Sequence, residues 1–454
     1  MRRKKSKGSI VLSTIAPVCI IAALALRDGY ADASEHKVSE PLRNVILITI
    51  STLRADHVSC LGYARDTTPN LDAFARENIL FRNAFATSGW MMPAHGSIFT
   101  SLYPSLHGAT HIDKPLVDER NTLAEILSDN GYYCVGFCCN PRLGRQHGFA
   151  QGFDMYDDYS VSIMLHSLTF GNDKGLDINK QRTNNFTNDA AIRWLQNNTH
   201  KPFFMFVHYY DNHWDYLPPP PYCELYDPEY DGPINGTQIA REPLFSNPPN
   251  ERDIEHIVAL YDGEVKQTDH DLGEMINVLK DMDLLGDSIV IILGDHGEQF
   301  YEHGHTSHHG LYEELIHIPL AVSIPSAQIK GKIIDSLVSQ VDVLPTILDY
   351  LEIPAPDGCQ GKSFKPLIDG RKGAVNEFVF AEYTGGAAPD SYAVRSARYK
   401  CCQMADSELF AHDLVNDPHE QQKIFSGDFT EQMKALRKNL KNLMAPKNYK
   451  RKPD

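Results

Sequence analysis

The sequence predicts an α/β protein built on a large, mostly parallel sheet between helices, with a small antiparallel subdomain at its C-terminal end. Three observations carry this expectation. The runs Asn44 to Ile50 (NVILITI), Phe203 to His208 (FFMFVH) and Ser288 to Leu293 (SIVIIL) are almost continuously apolar, as strands covered on both faces must be. Segments with helical periodicity lie between them, giving the strand–helix alternation of an α/β fold. Each run then ends in a polar cluster, at the edge where open α/β sheets bind their ligands.

The chain begins with a basic stretch, residues 2–7 (RRKKSK), an apolar run from Ile10 to Leu26, and a polar stretch containing Ala31-Asp32-Ala33. That order makes residues 1–33 a secretory signal peptide and predicts export from the cytosol. Left uncleaved, the same segment would be the chain's only hold on a membrane. The net charge of −16 argues against nucleic acid or an anionic membrane surface as a partner. Nine cysteines are present, eight of them beyond residue 33, with adjacent pairs at Cys138-Cys139 and Cys401-Cys402. Export permits disulfides, but the spacing neither pairs these residues nor forms a zinc motif.

After the first strand, Ser51, Thr52, Arg54 and Asp56 form a polar cluster. A helix follows, with Asn70 expected as its N-cap and Leu71, Phe74 and Ala75 on its apolar face. Between Trp90 and Ser101, the turn Met91-Met92-Pro93-Ala94-His95 leads into a second helical start. Thr122 to Asn140 reads as a short helix and a strand. Tyr159 to Arg182 reads as an irregular insertion, and Thr187 to Asn197 as a helix packing Ala191, Trp194 and Leu195 inward. The second strand gives way to HYYDNHWDY and a long Pro-rich loop, Pro218 to Asn250. Glu251 to Leu285 is helical by periodicity, with Asp262, Glu264 and Asp269 expected to be solvated or capping. The third strand is followed by Gly294-Asp295-His296-Gly297-Glu298. There, adjacent Asp and His can offer a carboxylate and an imidazole to one metal. The next loop is rich in histidine (His303, His305, His308, His309) and reads as hydrated surface. Short strands with Arg395, Arg398 and Lys400 in structural positions and a final amphipathic helix, Glu431 to Met444, complete the chain.

Taken together, NVILITI, LRADHVSCLGY, TPNLDAFARE, the His-x-x-Asp-x-His segment and GDHGEQFYEHGHTSHHGLYEE resemble the sulfatase family of the alkaline-phosphatase-like superfamily. The resemblance implies that fold, with an N-terminal catalytic-type domain over residues 44–355 and a C-terminal subdomain over 356–445. It places Asp295 and His296 among the ligands of a divalent metal, Ca²⁺ in the family, and Ser51 where the family has a ligand Asp. It sets His213 and His309 against the sulfate group, and His95 where the family's nucleophile motif has Arg or His. Met91 falls on the nucleophile, a residue that sulfatases convert to formylglycine from Cys or Ser. A thioether can neither ionise nor become an aldehyde hydrate, so no formylglycine is expected.

With Ser51 and Thr52 offering only neutral hydroxyls, binding of a hard cation should be weakened or altered. The expected function is therefore an exported sulfatase-family protein with a degenerate hydrolytic centre. It would recognise a sulfated or phosphorylated ester, on a small molecule or a glycan, through His213, His309 and His95. The alternative is an active ester hydrolase that uses metal-bound water as its nucleophile.

Overall fold

A computed structural model describes residues 44–158, 183–237, 249–308, 310–325, 330–384, 390–404 and 407–444. The signal-peptide expectation, the insertion at 159–182, residues 238–248 of the Pro-rich loop and His309 lie outside these residues.

The main sheet is assembled from β1 (Asn44–Ile50), β2 (Ile79–Phe85), β3 (Tyr133–Cys138), β4 (Met155–Asp157), β5 (Phe203–Tyr209) and β6 (Ser288–Gly294). A two-stranded ribbon, β7 (Gln299–Phe300) and β8 (Thr306–Ser307), stands apart in the loop after β6, and β9 (His317–Ser323), β10 (Lys332–Ile334) and β11 (Val338–Ser339) complete the set. The order is β10-β2-β9-β6-β1-β5-β3-β4, with β11 also on β2. Pairing is parallel except at β9, which runs antiparallel to both β6 and β2. The reason for that exception is local. The loop after β6 leaves and re-enters the sheet at one edge, so β9 returns beside the strand it came from. Residues 295–308 and 310–316 are thereby held over the carboxyl ends of the central strands from both sides.

β1, β5 and β6 are buried along their whole length, as their continuous apolar runs require. Side chains alternate between two faces. Val45, Leu47, Phe204 and Phe206 pack with α2 (Met91–Thr100) and with the helix Val343–Tyr350, while Ile46, Ile48, Met205 and Val207 pack with α1 (Pro69–Glu77) and the helices Thr183–Asn198 and Glu251–Asp281. The result is a three-layer sandwich.

The small subdomain is a five-stranded antiparallel sheet, β12 (Val379–Tyr383), β13 (Ser391–Arg395), β14 (Tyr399–Met404), β15 (Phe410–Asp413) and β16 (Ile424–Phe425). Helix Glu431–Met444 lays Met433, Leu436 and Leu440 on it. Lys400 on β14 ties it to the loop below β9. Its ammonium is fully buried and donates to Leu311 O (2.9 Å), Glu313 Oε1 (3.2 Å) and Glu420 Oε2 (2.8 Å).

Two local expectations change. Asn70 is not the N-cap of α1, which starts at Pro69. The helix is capped from a distance by Asp269, which accepts from Asn70 N (2.9 Å) and Leu71 N (2.8 Å) and places a carboxylate at the positive end of the helix dipole. Nor are the acids of the long helix solvated. Asp262 is fully buried and accepts from His57 Nδ1, Tyr63 Oη and Arg65 Nη1 at 2.6–2.7 Å, and Glu264 accepts from Leu217 N at 3.0 Å. These acids cap and anchor loops. All eight described cysteines are free thiols. Cys401 and Cys402, adjacent on β14, point to opposite faces of the strand, so that pair cannot close on itself.

Candidate active site

Register and alternation bring the site together. Thr49 on β1 pairs with His208 on β5 and Leu293 on β6, so Thr49, His208 and, two residues beyond Leu293, Asp295 face α2. That helix begins at Met91 and carries His95 one turn later, both buried. Gly96 lets the helix approach the next segment closely, since a Cβ there would lie 2.5 Å from the His107 ring.

The polar side chains under Met91 form a closed chain whose protons can be assigned. A carbonyl only accepts, so His95 Nδ1–H donates to Met91 O (2.9 Å). Neutral His95 then accepts at Nε2 from the Thr49 hydroxyl (3.0 Å). Thr49 Oγ1 in turn accepts from His208 Nδ1–H (2.8 Å). His208 Nε2 faces the Asn140 amide at 3.4 Å, and that amide also reaches Met91 Sδ at 2.9 Å. Burial lowers the pKa of both imidazoles, with the Asp295 carboxylate opposing the shift at His95. Both rings are therefore neutral near pH 7, and the chain begins and ends on Met91.

Beside it, Asp295 accepts at Oδ1 from the backbone N–H of Thr52 (2.9 Å) and of His296 (2.7 Å). Its Oδ2 is buried without a hydrogen-bond partner, 3.9 Å from His95 Nδ1 and 3.6 Å from His296 Nε2. Burial pushes the carboxyl up to about 6, against the pull of His95 and the two N–H groups. Ser51 Oγ is also buried and unpartnered. His296 Nδ1–H donates to Gly297 O (2.9 Å), which leaves Nε2 as the basic nitrogen. Gln340 fixes this corner by donating to Asp295 O (2.6 Å) and accepting from Thr87 N (3.0 Å).

The outer part of the site is aromatic. His213 is buried, donates from Nδ1 to Trp214 O (2.9 Å), and is pushed down to about 3 by burial, with His308 adding to the shift. Its ring centre lies 5.2 Å from that of His308, which lies 4.9 Å from that of His296. His308 Nδ1 is 3.2 Å from the buried carboxylate of Glu298.

Met91, His95, Ser51, Asp295, His296 and His213 thus converge on one edge of the sheet. His309 lies outside the described residues. The histidine-rich loop is not uniformly hydrated, because His305 is exposed and His308 buried. Asp56 turns away, pairs with Arg54 at 2.7 Å, and lines a separate cleft with Glu302 and Glu313. Sequence reasoning missed Thr49, Asn140, His208 and Glu298. A signal existed for two of them, since Thr49 and His208 are the polar residues near the ends of apolar strands and alternate onto the face that packs against α2. Among the described residues that make these contacts there is no lysine or arginine.

The family model for sulfatases matches residues 43–353, about two thirds of the chain. The chain belongs to the sulfatase family. The model for the C-terminal region of N-sulphoglucosamine sulphohydrolase matches residues 301–449. Sulfatase relatives include an arylsulfatase of Clostridium perfringens, 24% identical, with 87% of this chain and 93% of that protein covered. A multifunctional alkaline phosphatase superfamily protein of Trinickia caryophylli is 26% identical, with 83% and 90% covered. The sulfatase fold is shared with the phosphonate monoester hydrolase of Agrobacterium radiobacter (TM-score 0.72, 22% identity, 88% of this chain and 94% of that one). It is shared as well with an enzyme solved in complex with its substrate D-glucosamine-2-N,6-O-disulfate (TM-score 0.71, 20% identity, 88% and 97%). Sulfatases are typically metal-dependent.

Proposed function

We propose that this protein is an exported sulfatase homologue that binds a sulfated or phosphorylated ester at the carboxyl edge of β1, β5 and β6, and whose side-chain hydrolytic centre is degenerate. One observation carries the reading. The first residue of α2, where the family sets its nucleophile, is a methionine whose sulfur takes an amide contact from Asn140 and whose carbonyl holds His95. No oxygen or sulfur at that point can bear the negative charge a nucleophile needs. Ser97 does not substitute for it, since its hydroxyl faces His107 at 3.3 Å.

The donor set does not fit the family's Ca²⁺. Such an ion takes six or more oxygens, several of them carboxylate. Asp295 has one oxygen committed to backbone N–H groups, and Ser51 adds only a hydroxyl. The two unpartnered oxygens mark a cradle whose charge has been reduced.

His213, with His308 edge-on to it and Trp214 tilted against it, supports recognition of an ester on a ring-bearing substrate. The names of relatives point the same way, including an N-acetylglucosamine-6-O-sulfatase and an ulvan-active sulfatase. Export is supported by the order of basic, apolar and small residues at the N-terminus.

Calorimetric titration of the purified protein with glucosamine 6-sulfate and an aryl phosphate tests this reading. It predicts saturable binding to the wild type, roughly tenfold weaker binding to His213→Ala, and no release of sulfate or phosphate. Absence of binding contradicts the recognition, and product release contradicts the degeneracy.

A further inference from the structure

We propose that His95, His208 and Asp295 form a binding site for a borderline transition-metal dication of the zinc class, which shares Asp295 with the family's hard-cation position but takes its other ligands from two imidazoles. The three side chains are completely buried and come from three elements, α2, β5 and the end of β6. Each offers one ligand atom, and these atoms all lie within 4.8 Å of one another. Proximity alone would be weak evidence, because buried histidines are commonly held by hydrogen bonds.

Asp295 Oδ2 is the second, independent observation. It is fully buried and has no hydrogen-bond partner. Buried polar atoms are nearly always satisfied, and one that is not requires a reason. A metal ion supplies that reason.

The supports around the three ligands are those that metal sites use to orient their donors. Asp295 Oδ1 is fixed by two backbone N–H groups, which leaves Oδ2 free for an ion. His95 is fixed by Met91 O at Nδ1, which leaves Nε2 as its donor. Two imidazoles and one carboxylate suit Zn²⁺, Co²⁺ or Fe²⁺ and are a poor set for Ca²⁺ or Mg²⁺.

Thr49 is the competitor. In the metal-free protein its hydroxyl occupies the lone pair of His95 Nε2 and accepts from His208 Nδ1. Binding exchanges those two hydrogen bonds for metal–nitrogen bonds, and a ligating His208 Nδ1 releases its proton to its other nitrogen or to solvent. Removing the Thr49 hydroxyl should therefore tighten binding.

A second group of ligand types, His270, Asp271 and Glu274, lies along one helix with His270 and Glu274 exposed. It provides a control. The test strips the full chain with a chelator and titrates it with Co²⁺, followed by its visible absorption, and then with Zn²⁺ and Ca²⁺ in competition.

The expected result is one Co²⁺ per chain, displaced by Zn²⁺ and not by excess Ca²⁺, with two imidazoles in the X-ray absorption spectrum. His208→Asn and Asp295→Asn should each weaken binding by more than the ~10- to 100-fold that loss of a supporting hydrogen bond gives. Thr49→Val should strengthen it, and His270→Ala should leave it unchanged. Absence of saturable binding, an all-oxygen shell, or binding that survives the His208 and Asp295 substitutions would overturn the proposal. The wild-type spectrum decides between imidazole and oxygen ligands even where a variant fails to fold.

Discussion

His95 Nδ1 lies 2.9 Å from the carbonyl oxygen of Met91, one helical turn back. The first residue of α2 is thus bonded, through its backbone, to a fully buried imidazole on the same helix. From His95 the hydrogen bonds run through Thr49, His208 and Asn140 to the Met91 sulfur. Met91→Leu keeps the volume and removes one weak acceptor, so it should change stability by less than about 1.5 kcal/mol. His95→Leu leaves Met91 O and the Thr49 hydroxyl without their buried partner and should destabilise by about 2–4 kcal/mol. Urea unfolding of the two variants measures both.

Ser51→Asp should restore a second carboxylate beside the unpartnered Asp295 Oδ2. In chelator the variant should be less stable than the wild type, because a second buried negative charge has no partner. At calcium about 100-fold above its Kd it should recover roughly 2.7 kcal/mol by mass action. The wild type should respond little. Thermal melts with and without calcium check this, and an equal response of both proteins would contradict the weakened calcium site.

The His107 imidazole, clamped between Pro93 O, Ala109 N and the backbone of Gly96, is pushed by burial from 6.5 down to about 3. Above pH 6.5 it is neutral in both folded and unfolded chains. Between pH 6.5 and about 3 only the unfolded chain takes up the proton, so stability falls as pH falls, by about 1.4 kcal/mol per unit. From pH 7.5 to 5.5 the wild type should therefore lose about 1.4 kcal/mol more than His107→Asn. Denaturant unfolding at the two pH values reads the difference directly. Comparing the two proteins cancels opposing groups such as Asp342, whose carboxyl burial raises to about 6.

Lys400 has a clear expectation of its own. Its ammonium sits fully buried between Glu313 and Glu420. Arg395 and Lys400 hold the Glu313 carboxyl low against its burial, while burial and Glu313 push Glu420 up. Lys400→Met leaves the buried Glu420 without its cation and Glu313 with Arg395 alone, and should destabilise by about 3–5 kcal/mol. Replacing the exposed Lys434, which pairs with Glu431 on the surface, should change stability by less than about 1 kcal/mol.

The centre of the sheet was legible because β1, β5 and β6 are buried on both faces, so each announces itself as an unbroken apolar run with a polar cluster after it; β2, with Arg82 exposed, and the short β4, β10 and β11 carry no such signal. That Met91, Ser51, Asp295 and His296 share one edge of the sheet was legible through motif words that span those clusters. What escaped depends on contacts far apart in sequence. Asp269 caps a helix 199 positions earlier in the chain, and nothing local in either segment reveals it. Thr49 and His208 each resemble an ordinary strand residue until register sets them 2.8 Å apart. His308 was misjudged with its hydrated neighbours, since the path of the loop, rather than its composition, decides which histidine turns inward.

The central claim is that the family's hydrolytic step has been lost while the site persists. The most direct measurement is turnover by metal-stripped protein of aryl sulfate, phosphate and phosphonate esters, with Ca²⁺, Mg²⁺, Mn²⁺ or Zn²⁺ restored, beside a His296→Ala control. The account predicts no product above the control with any metal. Metal-dependent turnover that disappears in His296→Ala would contradict it and identify a working hydrolase.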